Sequence, residues 1–187
     1  MIKRICDILL SIIIISILFI PCIFFWLVIK LTSSGPGIYW SKRIGYKSNI
    51  FMMPKFRTMI VETPEIETNK LLCSKKYITR VGFFLRRSSI DEIPQILSVF
   101  IGDMSLVGPR PALWNQHELI AKRKKLNIDM LRPGITGWAQ INGRDEISLP
   151  EKISLDYQYL QNQSLFLDLK IILKTIILGI KSKNVIH

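Results

Sequence analysis

Histidine is nearly missing from this chain, with only His117 and His187 among its 187 residues. A Ser-His-Asp relay could rest only on His117 or on the terminal residue, so that chemistry has little to stand on. Cysteine is almost as scarce: Cys6, Cys22 and Cys73 form no C-x-x-C pair, and two lie in or beside an apolar N-terminal segment. A reduced compartment follows, with no disulfide and no zinc site. The sequence also lacks G-x-x-x-x-G-K-[ST], G-x-G-x-x-G, H-E-x-x-H and G-x-S-x-G. Walker-type nucleotide hydrolysis, dinucleotide binding, zinc proteolysis and the hydrolase nucleophile elbow are thereby set aside. No internal repeat or low-complexity linker is visible.

Acidic residues are the remaining shortage. Asp and Glu total 14 against 26 Lys and Arg, a formal charge of +12. Such a balance attracts anionic head groups, nucleic acid or phosphorylated substrates. With 49% apolar residues, a membrane surface is favoured over a nucleic acid. The length accommodates one domain of ordinary size plus one membrane element.

What is present begins with residues 8–31, in which Lys30 is the only charge. As one helix they would reach about 36 Å, enough for a bilayer core of about 30 Å. The run is too long for a cleaved signal peptide and has no small-x-small cleavage site. Pro21 cannot donate to the Ile17 carbonyl and predicts a kink or break. Lys3 and Arg4 precede the run, and Lys30, Lys42 and Arg43 follow it, so the positive-inside rule is best satisfied with both ends in the cytoplasm. That arrangement is a re-entrant hairpin bent at Pro21; a single kinked spanning helix is the equal alternative. Ser33-Ser34-Gly35-Pro36-Gly37 ends the segment. The chain therefore divides into a membrane helix or hairpin, 1–33, and one domain, 34–187, facing the cytoplasm.

Ile38-Tyr39-Trp40 and Ile50-Phe51-Met52-Met53 read as a hairpin around Gly45. In Ser89-Ile90-Asp91-Glu92 the pattern of a capping box competes with Pro94. With Ser89 as N-cap the proline would fall inside the helix, whereas with Asp91 as N-cap it falls among donors that need no partner. A helix from Asp91 is expected, with Ile93, Ile96, Leu97 and Phe100 on one face and Gly102 as its stop. Ser105-Leu106-Val107-Gly108-Pro109-Arg110-Pro111 is extended and presents one arginine. Residues 114–127 read as an amphipathic helix whose Lys122-Arg123-Lys124-Lys125 run is solvated or lipid-facing. The loop from Arg132 to Arg144 is glycine-rich, for close approach to a ligand or for tight turns. A tail helix, 168–183, sets Lys170, Lys174 and Lys181 among aliphatic residues and should lie in the head-group region or pack on the N-terminal segment. The expected fold is α+β, mainly helical and compact.

Chemistry concentrates at Asp91-Glu92 behind Arg86-Arg87. Neighbouring cations favour the ionised carboxylate and would depress its pKa, and the same cations would hold a phosphorylated substrate. Taken alone, this stretch is read more simply as plain helix capping. Taken with the arginine-bearing loops and the membrane anchor, the pair suits phosphoryl transfer from a soluble nucleotide donor to a membrane-bound acceptor.

Four strings in order extend this reading: Lys55-Phe56-Arg57-Thr58-Met59; Asp91-Glu92-Ile93-Pro94-Gln95; Gly102-Asp103-Met104-Ser105-Leu106-Val107-Gly108-Pro109-Arg110-Pro111; and Arg132-Pro133-Gly134-Ile135-Thr136-Gly137-Trp138-Ala139-Gln140. Together they resemble the motif set of the bacterial sugar transferase family, the small monotopic phosphoglycosyl transferases. The resemblance implies transfer of a sugar phosphate from a UDP-sugar to undecaprenyl phosphate at the inner membrane, with Mg²⁺ and release of UMP, to begin a surface glycan. It implies Asp91 as nucleophile and Glu92 as Mg²⁺ ligand or proton acceptor, with Asp91 also near the metal. Arg86, Lys55, Arg57, Arg110 with Pro111, Arg132 and Arg144 would hold phosphates, arginine through its bidentate fork. The chain departs from the pattern at Ile20, where a small polar residue is common, and at Asp145. The competing expectations are a non-catalytic basic module that binds anionic lipid or nucleic acid, and a glycosyl transferase that releases UDP.

Overall fold

The computed structural model describes residues 2–64, 76–143 and 147–181. Helix α1, Ile2–Thr32, is the one helix among them long and apolar enough to cross a membrane. The chain stays helical through Pro21, so the secondary structure itself is not interrupted there. Ile12, Ile13, Ile17, Phe19 and Ile20 are exposed along its middle.

Both ends of α1 are docked on the domain that follows. Near its start Lys3 Nζ donates to the Val107 carbonyl at 3.1 Å and pairs with Asp168 at 2.5 Å. Arg4 donates to the carbonyls of Val99 and Phe100, and the Asp7 carboxylate accepts from Ser105 Oγ at 2.8 Å and Leu106 N at 3.1 Å. Near its end Ile29 is buried against Phe56 and Leu85, with Cys22 and Phe25 packed alongside.

Strands β1 (Ile38–Ile44) and β2 (Ile50–Phe56) form the expected antiparallel hairpin, in register from Ile38 opposite Phe56 to Ile44 opposite Ile50. Its turn is the 3₁₀ segment Tyr46–Ser48. Helix α2 (Arg80–Arg87) leads to a 3₁₀ segment, Ile90–Gln95, and then to α3 (Ile96–Ile101). The helix expected from Asp91 is thus a corrected reading. Ser89, not Asp91, precedes the segment, with left-handed φ of 57° and no side-chain cap, and Pro94 lies inside tight 3₁₀ turns. Regular α-helix starts only beyond the proline ring. Gly102 ends α3 at φ 111°, as its position predicts.

Strand β3 (Ser105–Val107) runs parallel to β5 (Gly134–Thr136), while β4 (Ala112–Leu113) joins the free edge of β1. The glycines of the two loops serve backbone packing. A Cβ on Gly134 would strike the Gly108 nitrogen, and one on Gly137 the Gly108 carbonyl oxygen. Helices α4 (His117–Lys125), α5 (Trp138–Ile141), α6 (Leu149–Gln161) and α7 (Leu165–Lys181) complete the domain. Helix α7 starts earlier than the lysine pattern suggested, with Asp168 N bonded to the Ser164 carbonyl. It buries Ile171 with Val107 and Tyr159 while Phe166, Leu169, Leu173, Ile176 and Ile177 stay exposed.

Helix α2 is seated by its glycine. Thr79 caps it by accepting from Gly82 N at 2.9 Å, and a Cβ at Gly82 would collide with the Thr58 carbonyl group. Gly82→Ala should therefore destabilise the fold by about 1–3 kcal/mol, the usual cost of overpacking. Thermal melting in detergent checks this, and a midpoint equal to the parent's would contradict it.

Candidate active site

Cross-strand partners point to the same side of a sheet, so Lys55, opposite Tyr39, and Arg43, opposite Phe51, share a face with buried Met53. The 3₁₀ segment carrying Asp91 and Glu92 packs on β2. Lys55 Nζ reaches Glu92 Oε1 at 2.7 Å, and Arg110, from the loop after β3, meets the same oxygen at 3.2 Å. Arg86 donates to Thr58 Oγ1 at 2.9 Å and lies close enough to Asp91 and Glu92 for their charges to act on it. Asp91 is 8% exposed.

The two carboxylates are driven apart. Burial raises the Asp91 carboxyl to about 6; Glu92 adds to the rise, while Lys55, Arg86 and Arg110 oppose it. This corrects the expected downward shift, because desolvation of a buried charge outweighs the neighbouring cations. Burial also works against ionisation of Glu92. There, however, the charges and hydrogen bonds of Lys55 and Arg110 prevail and hold it well below the usual carboxylate range.

Not every expected residue joins this cluster. Arg57 is buried and turns toward the end of α1, donating to Ser33 O at 3.0 Å and Ser33 Oγ at 2.7 Å; its Nη1 finds no hydrogen-bond partner among the described residues. Arg132 donates to the Gly102 carbonyl at 2.8 Å and lies over the Tyr46 ring at 5.5 Å. Arg4 and Arg132 thus close the C-terminal end of α3 from opposite parts of the chain. The Pro111 carbonyl accepts from Arg43 Nη1 at 3.1 Å. Arg144 and Asp145 lie outside the described residues.

Two arginines beside the site were expected in other roles, Arg43 as a basic flank of the membrane run and Arg123 in a solvated or lipid-facing run. Arg43 is lowered to about 10, first by burial and then by Arg110 beside it. Arg123, read as part of a solvated run, is buried and bonded to Asp156 and to the Arg110 carbonyl. Its signal lay in α6, where Ile153, Asp156 and Tyr159 are spaced three apart, so that an acid falls on the apolar stripe. No group of three or more His, Cys, Asp or Glu side chains gathers among the described residues.

An acidic pair, Asp91 buried and Glu92 half-buried, ringed by Lys55, Arg110 and Arg86 on a domain clasped by a long apolar helix, fits a group-transfer enzyme that handles anions. The chain belongs to the bacterial sugar transferase family, whose model matches residues 1–182. It is 39% identical over 174 residues to EpsL of Bacillus subtilis, an uncharacterized sugar transferase, covering 93% of this chain and 85% of that protein. It is also 39% identical over 166 residues to the UDP-glucose:undecaprenyl-phosphate glucose-1-phosphate transferase of Escherichia coli, covering 84% of this chain and 35% of the relative. With the undecaprenyl-phosphate galactose phosphotransferase of Salmonella typhimurium it shares 34% identity over 189 residues, 92% of this chain and 39% of that one. The chain spans little more than a third of these last two relatives.

Proposed function

We propose that this chain transfers a sugar 1-phosphate from a UDP-sugar to undecaprenyl phosphate at the cytoplasmic face of the inner membrane, the first membrane step of a surface glycan. The observation that carries this is Asp91, buried beside an ionised Glu92 whose cations, Lys55 and Arg110, are the groups a diphosphate needs. An Asp91 oxygen attacks the sugar-bearing phosphorus; that bond forms as the bond to the UMP oxygen breaks, leaving a phosphosugar on the carboxyl. An oxygen of the lipid phosphate then attacks the same phosphorus, and Asp91 leaves as a free carboxylate. A carboxylate needs no base to activate it, and one with its pKa near 6 is largely ionised at neutral pH.

Lys55 and Arg110 exchange Glu92 for the donor's phosphates, and Arg86 steadies the charge beside Asp91. Glu92, held ionised before the donor binds, presents a charged carboxylate when Lys55 and Arg110 turn to the phosphates, which suits the metal-ligand role of the two left open. Asp91 and the second oxygen of Glu92 offer a hard oxygen set that suits Mg²⁺, an ion that keeps several waters and shares substrate phosphates. Bound there, it would neutralise charge on the departing UMP.

The docking of both ends of α1 on one domain supports a re-entrant helix, since a perpendicular span of about 30 Å would part them. Exposed Phe83 and Phe84 on α2, Phe100 and Ile101 on α3, and the outer face of α7 suit contact with membrane lipid, with no nucleic acid involved. Single cysteines placed before residue 8 and after residue 31, in a background without the native three, should both resist a periplasmic thiol reagent. Labelling of either end would exclude the hairpin.

The deciding experiment incubates the membrane-bound chain with undecaprenyl phosphate and a panel of UDP-sugars, and identifies the nucleotide released. UMP supports the reading. UDP would mean a glycosyl transferase, and no nucleotide at all a binding module.

A further inference from the structure

Arg110 meets Glu92 from a loop whose backbone carbonyls are held first by main chain and then by side chains. Strand β5 secures it as far as Pro109, whose carbonyl accepts from Gly134 N at 2.9 Å. Pro109 and Pro111 themselves carry no N–H to donate. The next two carbonyls are held by side chains: Arg110 O accepts from Arg123 Nη1 at 2.8 Å, and Pro111 O from Arg43 Nη1 at 3.1 Å. Arg123 turns its other donors onto one oxygen of Asp156, Nε at 3.0 Å and Nη2 at 2.6 Å. The pair joins α4 to α6 and is nearly sealed, its side chains 10% and 2% exposed.

A buried ion pair is a weak source of stability, because desolvation offsets most of the attraction. Here the guanidinium plane, fixed by Asp156, aims its remaining arm at the main chain of an active-site residue whose own side chain is 40% exposed. We propose that Arg123, set by Asp156, is a positioning residue: it holds the Arg110 backbone so that the guanidinium of Arg110 meets Glu92 and, in exchange, the donor's diphosphate. This rests on the phosphoglycosyl transfer reading above.

The test is a double-mutant cycle on the full chain in membranes, scored by UMP release from the UDP-sugar the parent uses best. Arg123→Met and Asp156→Leu are made together, in the parent and in Arg110→Ala. Removing both charges leaves no orphan ion, an exchange that buried pairs often tolerate. In the parent background KM for the UDP-sugar should rise about tenfold while kcat changes by less than about twofold. In Arg110→Ala the same change should move KM by less than about twofold, because the partner it acts through is gone. Equal losses in both backgrounds would overturn the proposal, and so would no loss in either. If the paired variant does not fold, Arg123→Lys carries the same cycle, since lysine keeps a charge for Asp156 but lacks the second arm for Arg110. A parent that releases no UMP from any UDP-sugar would instead retire the transfer reading itself, and the proposal with it.

Discussion

Asp91→Asn should abolish UMP release, by at least about a thousandfold, with the protein still folded. The amide matches the carboxylate in size and removes a buried charge that desolvation already disfavours, so thermal stability should hold or rise. Capping cannot account for such a loss, because Asp91 lies within a 3₁₀ segment that has no side-chain cap. UMP release by the Asn variant at more than about a tenth of the parental rate would remove Asp91 as nucleophile. Capture of radiolabelled sugar phosphate on the parent chain, and not on the variant, gives the same answer without turnover.

Lys55→Met carries the second large effect and has two readouts. Glu92 loses the nearer of its two cations and the donor diphosphate loses one charge-assisted bond, so kcat/KM should fall about a hundredfold. The second readout is pH. A carboxyl raised to about 6 is protonated below that value, so parental activity should drop as pH falls through 6 and level off above 7. Lys55 opposes the rise at Asp91, so its removal should carry the acid limb to higher pH. A lower rate with an unmoved limb would mean that Lys55 serves the substrate alone, without acting on Asp91.

Much of this arrangement was legible in the sequence where local chemistry decides. The hairpin about Gly45 and the stop at Gly102 follow from glycine and strand periodicity and are present, whereas the segment leading to Arg110 is extended at Ser105–Val107 and bends at Gly108 and Pro109. The pairing of Asp91 and Glu92 with Lys55 and Arg110 was also within reach, since the resemblance placed all four at one site. Arginines were the hardest to place. Arg57 closes the end of α1, Arg132 closes α3, and Arg43 and Arg123 hold the Pro109–Pro111 loop. A guanidinium is long enough to serve carbonyls anywhere within reach, so tertiary neighbours, not sequence neighbours, choose its target. The direction of the Asp91 shift was hidden for a related reason. Nearby cations can be read from a string, whereas the depth at which a carboxylate is buried cannot. The start of α3 slipped past Pro94 because Ser89 takes a left-handed turn that nothing in Arg87-Ser88-Ser89-Ile90 advertises.

Helix α2 unites two faces within eight residues: Phe83 and Phe84 are exposed, while Arg86 reaches Thr58 and lies within electrostatic range of Asp91. In the proposed setting that short helix works as a draught mark, fixing how deep the enzyme floats. Were the phenylalanines to sit among the acyl chains, Arg86 on the inner side of the helix would hold its charge toward the head-group layer, where the phosphates of lipids reside. On the proposed function, the acceptor would then have no need to be lifted out of its leaflet. Its phosphate would be met at its own height, and its apolar tail would never leave oil.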